Sequence, residues 1–492
     1  MPELKTFLQS RPAFVFLLPL FFVLHGCVEN FDFIPLPNAL SLTALYLFAA
    51  IIIFFLSRLL FHNSIKAGLV TSFIMAFHFF FGSLHDELKK LFPGTFITKY
   101  SILLPVSFIV FILVVIFLRK AKRPFIKLNT YLNVALSLVI IIDFGILLSK
   151  LLFQKKEPLS LDKEFTKCDT CQKPNVYFVI ADEYAGNEEL KDIFHYDNSP
   201  FEDQLRKRGF HVINHSFSNY NYTPFSMASI LNMKYLHLKD TSRTGSDITY
   251  SYQEIKNNKI KHFFQANGYQ FYNYSVFDFD GQPAPVRENF LPSKTRLITS
   301  QTFLSRLDRD LSFNLITRLK SKRAIEKATY NYRENNDHLY QLTWNLAEQK
   351  SAAPKFIYTH LMMPHYPYYY DGNGNELPFE RLTEGNQVHR DDYVGYLQYS
   401  NNKLLTLIDH IQKSSPTPPV IILMGDHGFR HFTEPVERRY YFMNFVSVYF
   451  PSEDYSYLSD STSSVNLFRE ILNSQFSQQL PLLKDSSVYL RD

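Results

Sequence analysis

Cysteine is scarce, with three residues in a chain of 492. Cys27 lies inside an apolar run. Cys168 and Cys171 make a single Cys-Asp-Thr-Cys, and no second such pair supplies the other two ligands of a structural zinc site. In the cytosol the pair suggests redox or metal chemistry. Outside it, the expected reading is a small disulfide. A charge excess of one sign is also lacking: 51 Lys and Arg face 46 Asp and Glu, a net of +5 spread over short clusters. That excludes the basic stripe of a nucleic-acid binder. Internal repeats and low-complexity tracts are absent as well.

What the chain does have is apolar length, all of it before about residue 155. Five runs stand out, at roughly 12–28, 39–61, 67–85, 99–118 and 131–153. Most approach the ~20 residues that cross a bilayer as a helix. Lys5 and Arg11 precede the first run. Arg58 and Lys66 flank the second connection, and Arg119, Lys120, Lys122, Arg123 and Lys127 fill the fourth. The first connection, Glu29 to Asn38, has no Lys or Arg, and the third mixes Lys89 and Lys90 with Asp86 and Glu87. Positive loops favour the cytoplasm, so the N-terminus is expected inside, and five crossings put the rest of the chain outside. Leu24-His-Gly-Cys27 loosely matches a lipoprotein cleavage box, but His25 fits such a box poorly and an uncleaved helix is preferred. Asp143 in the fifth run is an intramembrane carboxylate, with His78 a possible partner. A structural hydrogen bond between helices is the plainer role.

After a polar linker at 154–173 the pattern becomes globular. Asn175–Ala181, Tyr269–Tyr274, Lys355–Leu361 and Val420–Met424 read as strands, with a further strand at Gly-Phe-His-Val-Ile, residues 209–213. Phe201–Arg208, Met227–Leu231, Ile260–Asn267 and Tyr393–Lys413 read as helices, and 302–350 is charged and helical in pattern. Alternating strands and helices predict an α/β domain with a mostly parallel sheet. Ligands of such sheets sit beyond the carboxyl ends of the strands.

Two segments place reactive side chains at such ends, and a third lies between them. Asn175-Val-Tyr-Phe-Val-Ile-Ala-Asp182-Glu183 is an apolar strand closing on two carboxylates. Val420-Ile-Ile-Leu-Met-Gly-Asp426-His427-Gly428 closes on a carboxylate and an imidazole. Between them, Asn219-Tyr-Asn-Tyr-Thr223-Pro-Phe-Ser-Met-Ala-Ser-Ile-Leu-Asn232 offers a hydroxyl just before a helix-like run. Carboxylates, an imidazole and a hydroxyl nucleophile are what metal-assisted phosphoryl or sulfuryl transfer needs. A fourth segment, His360-Leu-Met-Met-Pro-His365-Tyr-Pro367, follows the third of these strands. His360 reads as a core histidine.

In this order, from about Asn175 to Pro451, the four segments resemble the sulfatase-like branch of the alkaline phosphatase superfamily. That branch includes sulfatases, lipoteichoic acid synthases and phosphoethanolamine transferases. The resemblance implies a multi-span helical membrane domain (1–153, five helices) followed by an alkaline phosphatase-like α/β catalytic domain (174–492). It implies one divalent metal ion held by Asp182, Glu183, Thr223, Asp426 and His427, with Thr223 as nucleophile and His365 on the transferred group. Oxygen-rich ligation with one imidazole suits Mn, Mg, Ca or Zn. Arg430 could clamp phosphate oxygens, and His431 lies beside it. Sulfatases mature a Cys or Ser within Cys-x-Pro-Ser-Arg to formylglycine. Here the position is Thr223, and Met227 replaces the arginine. A threonine nucleophile on a multi-span anchor instead resembles the transferases. The expected activity is transfer of a phosphoryl-linked group, of the phosphoglycerol or phosphoethanolamine type, from a membrane lipid to a cell-surface glycan or lipid. A sulfatase-like hydrolase acting on polysaccharide, and a silent binding protein of this fold, stay open.

Overall fold

The computed structural model describes residues 2–31, 33–153, 163–169, 171–238, 241, 245–286, 295–318, 329–382 and 386–491. They form two compact units. Met1–Lys156 joins Pro292–Lys322 in the first, and Glu157–Leu291 joins Arg323–Asp492 in the second. Residues 154–162 and 170 of the expected linker, and 319–328 of the expected helical stretch, lie outside the described residues.

The first unit holds α1 (Pro2–Ser10), α2 (Phe14–Glu29), α3 (Leu36–Leu60), α4 (Ser64–Leu91), α5 (Tyr100–Lys120) and α6 (Ile126–Phe153). Among the described residues, α3, α4, α5 and Ile126–Leu152 of α6 are the four helices long and apolar enough to cross a bilayer. The first apolar run gives α2, whose 16 residues span about 24 Å against a hydrocarbon core of about 30 Å. The break before α2 is satisfied by α6. Buried Asn133 accepts from the Phe14 N–H at 2.7 Å and donates to the carbonyls of Leu8 and Arg11, each at 2.8 Å. α2 packs on α3, α4 and α6, with Phe14, Leu18, Tyr46 and Phe79 in a shared core. Asp143 pairs with His25 at 3.2 Å. His78 instead packs edge-on to Tyr46, so the expected partnership with Asp143 does not form.

The described residues of 302–350 are largely helical, as expected, but they divide between the two units. Arg296–Thr299 and Phe303–Arg318 belong to the first unit, and Asn331–Glu348 to the second. The cause is local chemistry. Ile298 and Phe303 are apolar residues that find partners among the membrane helices, against Phe79 and against Phe77 and Phe81.

In the second unit, β1 (Val176–Ala181), β2 (His211–Val212), β3 (Gln270–Tyr274), β4 (Lys355–Leu361), β5 (Val420–Met424) and β6 (Val446–Tyr449) form one sheet in the order β2-β6-β5-β1-β4-β3. The pairs β1–β4, β1–β5 and β3–β4 are parallel, and β6 runs antiparallel to β5 and β2. β6 is four residues within an aromatic stretch and has no counterpart in the sequence reading. β1, β4 and β5 are buried on both faces, which is why they read as apolar runs rather than alternating ones. Register sets Ala181 beside Leu361 and Ile180 beside Met424, so Asp182, His360 and Asp426 gather at one sheet end. Cys168 and Cys171 are joined in a disulfide.

Candidate functional site

Thr223 is the first residue of α7 (Thr223–Asn232), not a loop residue ahead of the helix. Pro224 explains the shift. Its fixed φ suits the first turn, where its missing N–H costs nothing. The Thr223 hydroxyl therefore sits at the positive end of a fully buried helix, which favours developing negative charge. Ser226, one turn on, donates to the Asp426 carbonyl at 2.6 Å and ties α7 to the loop after β5. Gly425 is required in that loop, since a Cβ there would lie 2.4 Å from the Tyr184 carbonyl oxygen.

Thr223 Oγ1 lies 3.2 Å from His427 Nε2 and 3.4 Å from Asp182 Oδ2. His427 Nε2 is 3.3 Å from Asp426 Oδ2. Asp182, Asp426 and His427 are wholly buried, and Thr223 nearly so. These four, predicted as ligands and nucleophile, thus converge. Glu183 follows Asp182 with a left-handed φ of 59°, a costly conformation for a non-glycine residue and one typical of functional sites. It turns its carboxylate away, toward His431 Nε2 at 3.5 Å and His365 Nε2 at 3.9 Å. The Arg430 backbone N–H donates to Glu183 at 3.0 Å, while the Arg430 guanidinium lies over the Tyr222 ring.

His360 is the residue that sequence reasoning left out. Its Nε2 is 2.9 Å from Asp182 Oδ2, and Tyr358 supports its Nδ1 at 2.8 Å. With the Tyr358 hydroxyl donating to Nδ1, Nε2–H donates to the carboxylate and holds its orientation. The available signal was position, because a histidine at the end of β4 stands in register with the end of β1. Buried Glu189, accepting from the Phe429 N–H at 3.2 Å, carried no such signal.

The side chains fit a cation. Asp182 Oδ1, Asp426 Oδ2, Glu183 Oε2 and His365 Nε2 are buried with no hydrogen-bond partner, a set whose desolvation needs compensation. Asp182, His360 and Asp426 form one group with ligand atoms within 4.8 Å of one another, and Glu183, His365 and His431 form a second. His427 Nδ1 faces the Gly428 carbonyl at 2.7 Å, and His365 Nδ1 faces the Tyr366 carbonyl at 2.5 Å. Carbonyls only accept, so each Nδ1 carries a proton, and each ring points its Nε2 toward the site. Burial lowers the His365 pKa, against the pull of Asp182 and Glu183. Burial raises the Glu183 pKa. Burial also acts to raise that of Asp182, but His365 and the His360 hydrogen bond outweigh it and hold Asp182 below the ordinary carboxylate value.

The sulfatase family model matches residues 174–468. The chain belongs to the sulfatase family. It is an enzyme of the sulfatase and alkaline phosphatase superfamily, carried behind membrane-spanning helices. No curated protein matches it significantly. Similar solved structures include the C-terminal periplasmic domain of EptC from Escherichia coli, with 15% identity over 68% of this chain and 94% of that one and a TM-score of 0.40. The periplasmic domain of the phosphoethanolamine transferase EptC from Campylobacter jejuni is 15% identical over 65% of this chain and 95% of that one, with a TM-score of 0.35. A sulfatase-like protein, YidJ from Bacteroides fragilis, is 13% identical over 65% and 77%, with a TM-score of 0.39.

Proposed function

We propose that this sulfatase-family chain is a membrane-bound transferase with an extracytoplasmic catalytic domain. It moves a phosphoryl-linked headgroup, of the phosphoglycerol or phosphoethanolamine type, from a membrane lipid to a cell-surface glycan or lipid. The observation that carries this reading is a threonine hydroxyl at a helix N-terminus, between a buried histidine and a buried carboxylate. A threonine cannot mature to formylglycine, so the usual sulfatase route is closed.

Asp182, Asp426, His427 and Thr223, with Glu183 beside them, are the residues to hold one divalent ion (Mn, Mg, Ca or Zn). Such an ion, when bound, stabilises the alkoxide and the charge on phosphoryl oxygens. Thr223 Oγ1 attacks phosphorus, and the bond from phosphorus to the lipid alcohol breaks. His365 holds the phosphoryl oxygens or protonates the departing alcohol oxygen, and that proton balances the one that Thr223 loses. His360 keeps Asp182 oriented. The acceptor hydroxyl then attacks phosphorus, the Oγ1–P bond breaks, and Thr223 regains a proton.

A second reading, a hydrolase of phosphoric or sulfuric esters on polysaccharide, is favoured by the family match alone. Rapid quenching with lipid vesicles tests both. The transferase predicts a headgroup-phosphate adduct on the peptide containing Thr223, discharged by an added glycan or lipid acceptor. Discharge to water alone selects the hydrolase, and loss of bound metal with no adduct points to a silent protein.

A further inference from the structure

We propose that residues 295–311 are a membrane strap, a piece of the catalytic half of the chain built into the membrane unit, and that turnover of a lipid-borne donor depends on it. This rests on the reading of the donor as a membrane lipid.

One face of the strap is packed as interior, at Ile298, Thr302 and Arg306, while Arg296, Leu304, Asp308 and Arg309 are exposed. Ile298 is 6% exposed and shares the core of Phe14, Leu18, Tyr46 and Phe79. The Phe303 ring lies 5.3 Å from that of Phe77 and 4.9 Å from that of Phe81. The Gly82 N–H donates to the Gln301 carbonyl at 2.8 Å, and a Cβ on Gly82 would sit 2.5 Å from that oxygen. No other residue allows this approach. The side chain of Arg306 is 4% exposed, bonds to Gln301 Oε1 at 3.0 Å and pairs with Asp86. Tyr100 donates to Asp310 at 2.5 Å.

Apolar and charged contacts separate along the strap. Phe77 lies nine residues before Asp86 on α4, about 13 Å nearer the middle of the bundle. Ile298 and Phe303 therefore pack at apolar depth, while Arg306 and Asp310 meet Asp86 and Tyr100 where α4 turns polar and α5 begins. A buried arginine paired to one carboxylate fixes register, because displacement strands the charge. The chain leaves the catalytic unit to form this piece and returns to it afterwards, between Leu291 and Arg323. A soluble ester reaches the catalytic unit by diffusion, whereas a lipid headgroup is confined to the bilayer. Residues 295–311 thus belong to the membrane unit, although the chain on both sides of Pro292–Lys322 belongs to the catalytic unit.

The test uses full-length protein in vesicles of phosphatidylethanolamine and phosphatidylglycerol, with bis(p-nitrophenyl) phosphate as the soluble probe. Asp86→Arg and Arg306→Asp are each expected to lower lipid turnover at least tenfold and to leave soluble hydrolysis within twofold. The double reversal should restore lipid turnover. Phe81→Cys with Phe303→Cys should form an intramolecular disulfide, read by mass spectrometry. Absence of that disulfide overturns the strap whatever the activities. Its presence with equal loss on both substrates, with undiminished lipid turnover, or with no rescue by the double reversal overturns the proposed role. A wild-type protein that hydrolyses the soluble probe and ignores lipid overturns the lipid-donor reading, and this role with it, while the disulfide still reports on the strap.

Discussion

At Thr223 the chemistry comes down to one oxygen. Thr223→Ala removes the atom that forms the covalent bond, so turnover should fall by about a thousandfold or more even at saturating metal. Thr223→Ser keeps a hydroxyl at the helix N-terminus and should retain part of the activity. Normal turnover by the alanine variant, measured with lipid vesicles, would replace covalent catalysis with direct attack by the acceptor. Asp426→Ala should lose both cation and activity, because affinity follows ligand count. Metal analysis of the purified variant decides this without an assay. Away from the site, buried Glu470 accepts from Thr462 at 2.9 Å, and burial raises its pKa from 4.5 to about 7. The folded state then holds a proton that the unfolded chain releases. Stability from this residue is complete below pH 4.5 and declines as pH rises through 7, by about 3 kcal/mol in total. Glu470→Gln should flatten that part of the decline, seen as a smaller fall in Tm between pH 5 and pH 8. An equally steep fall in the variant would show that Glu470 is not the group responsible.

Among the elements, strands that carry the site were legible and the details between them were not. β4 and β5 were read to the residue, because strands buried on both faces appear as apolar runs. Asp182, Asp426 and His427 followed directly from strand ends. β6 was missed because four residues in an aromatic stretch have no period of their own. His360 was missed because facing is set by register between β1 and β4, which one sequence does not display. The strap was missed for a related reason. Its apolar residues are too few to resemble a membrane segment, and their partners lie more than 200 positions away in the chain. Glycine placement is a sharper guide at this scale. Gly425→Ala puts a Cβ against the Tyr184 carbonyl, where only backbone movement gives relief. The loop bearing Asp426 and His427 should shift, with a stability cost of about 2 kcal/mol and weaker metal binding. Unchanged metal affinity and Tm would mean that the loop has more room than its contacts indicate.

For the whole molecule the open question is sidedness. Two kinds of observation bear on it. The basic cluster Arg119 to Lys127 lies between α5 and α6, and the Arg58 and Lys66 pair lies between α3 and α4. Both favour the cytoplasm. Contacts of the strap fall at the opposite ends of the same helices, with Asp86 near the C-terminus of α4 and Tyr100 at the N-terminus of α5. The basic loops and the strap contacts thus lie at opposite ends of α4 and α5, and loop charge favours the extracytoplasmic catalytic unit proposed above. Alkaline phosphatase fused after Asp492 should be active, and a fluorescent protein fused there should be dark. A cysteine introduced at Lys122 should be labelled by a membrane-impermeant reagent only after the membrane is opened. A bright fluorescent fusion, or labelling at 122 in intact cells, would invert the topology. It would also place the site away from cell-surface acceptors, leaving a cytoplasmic substrate as the one to seek.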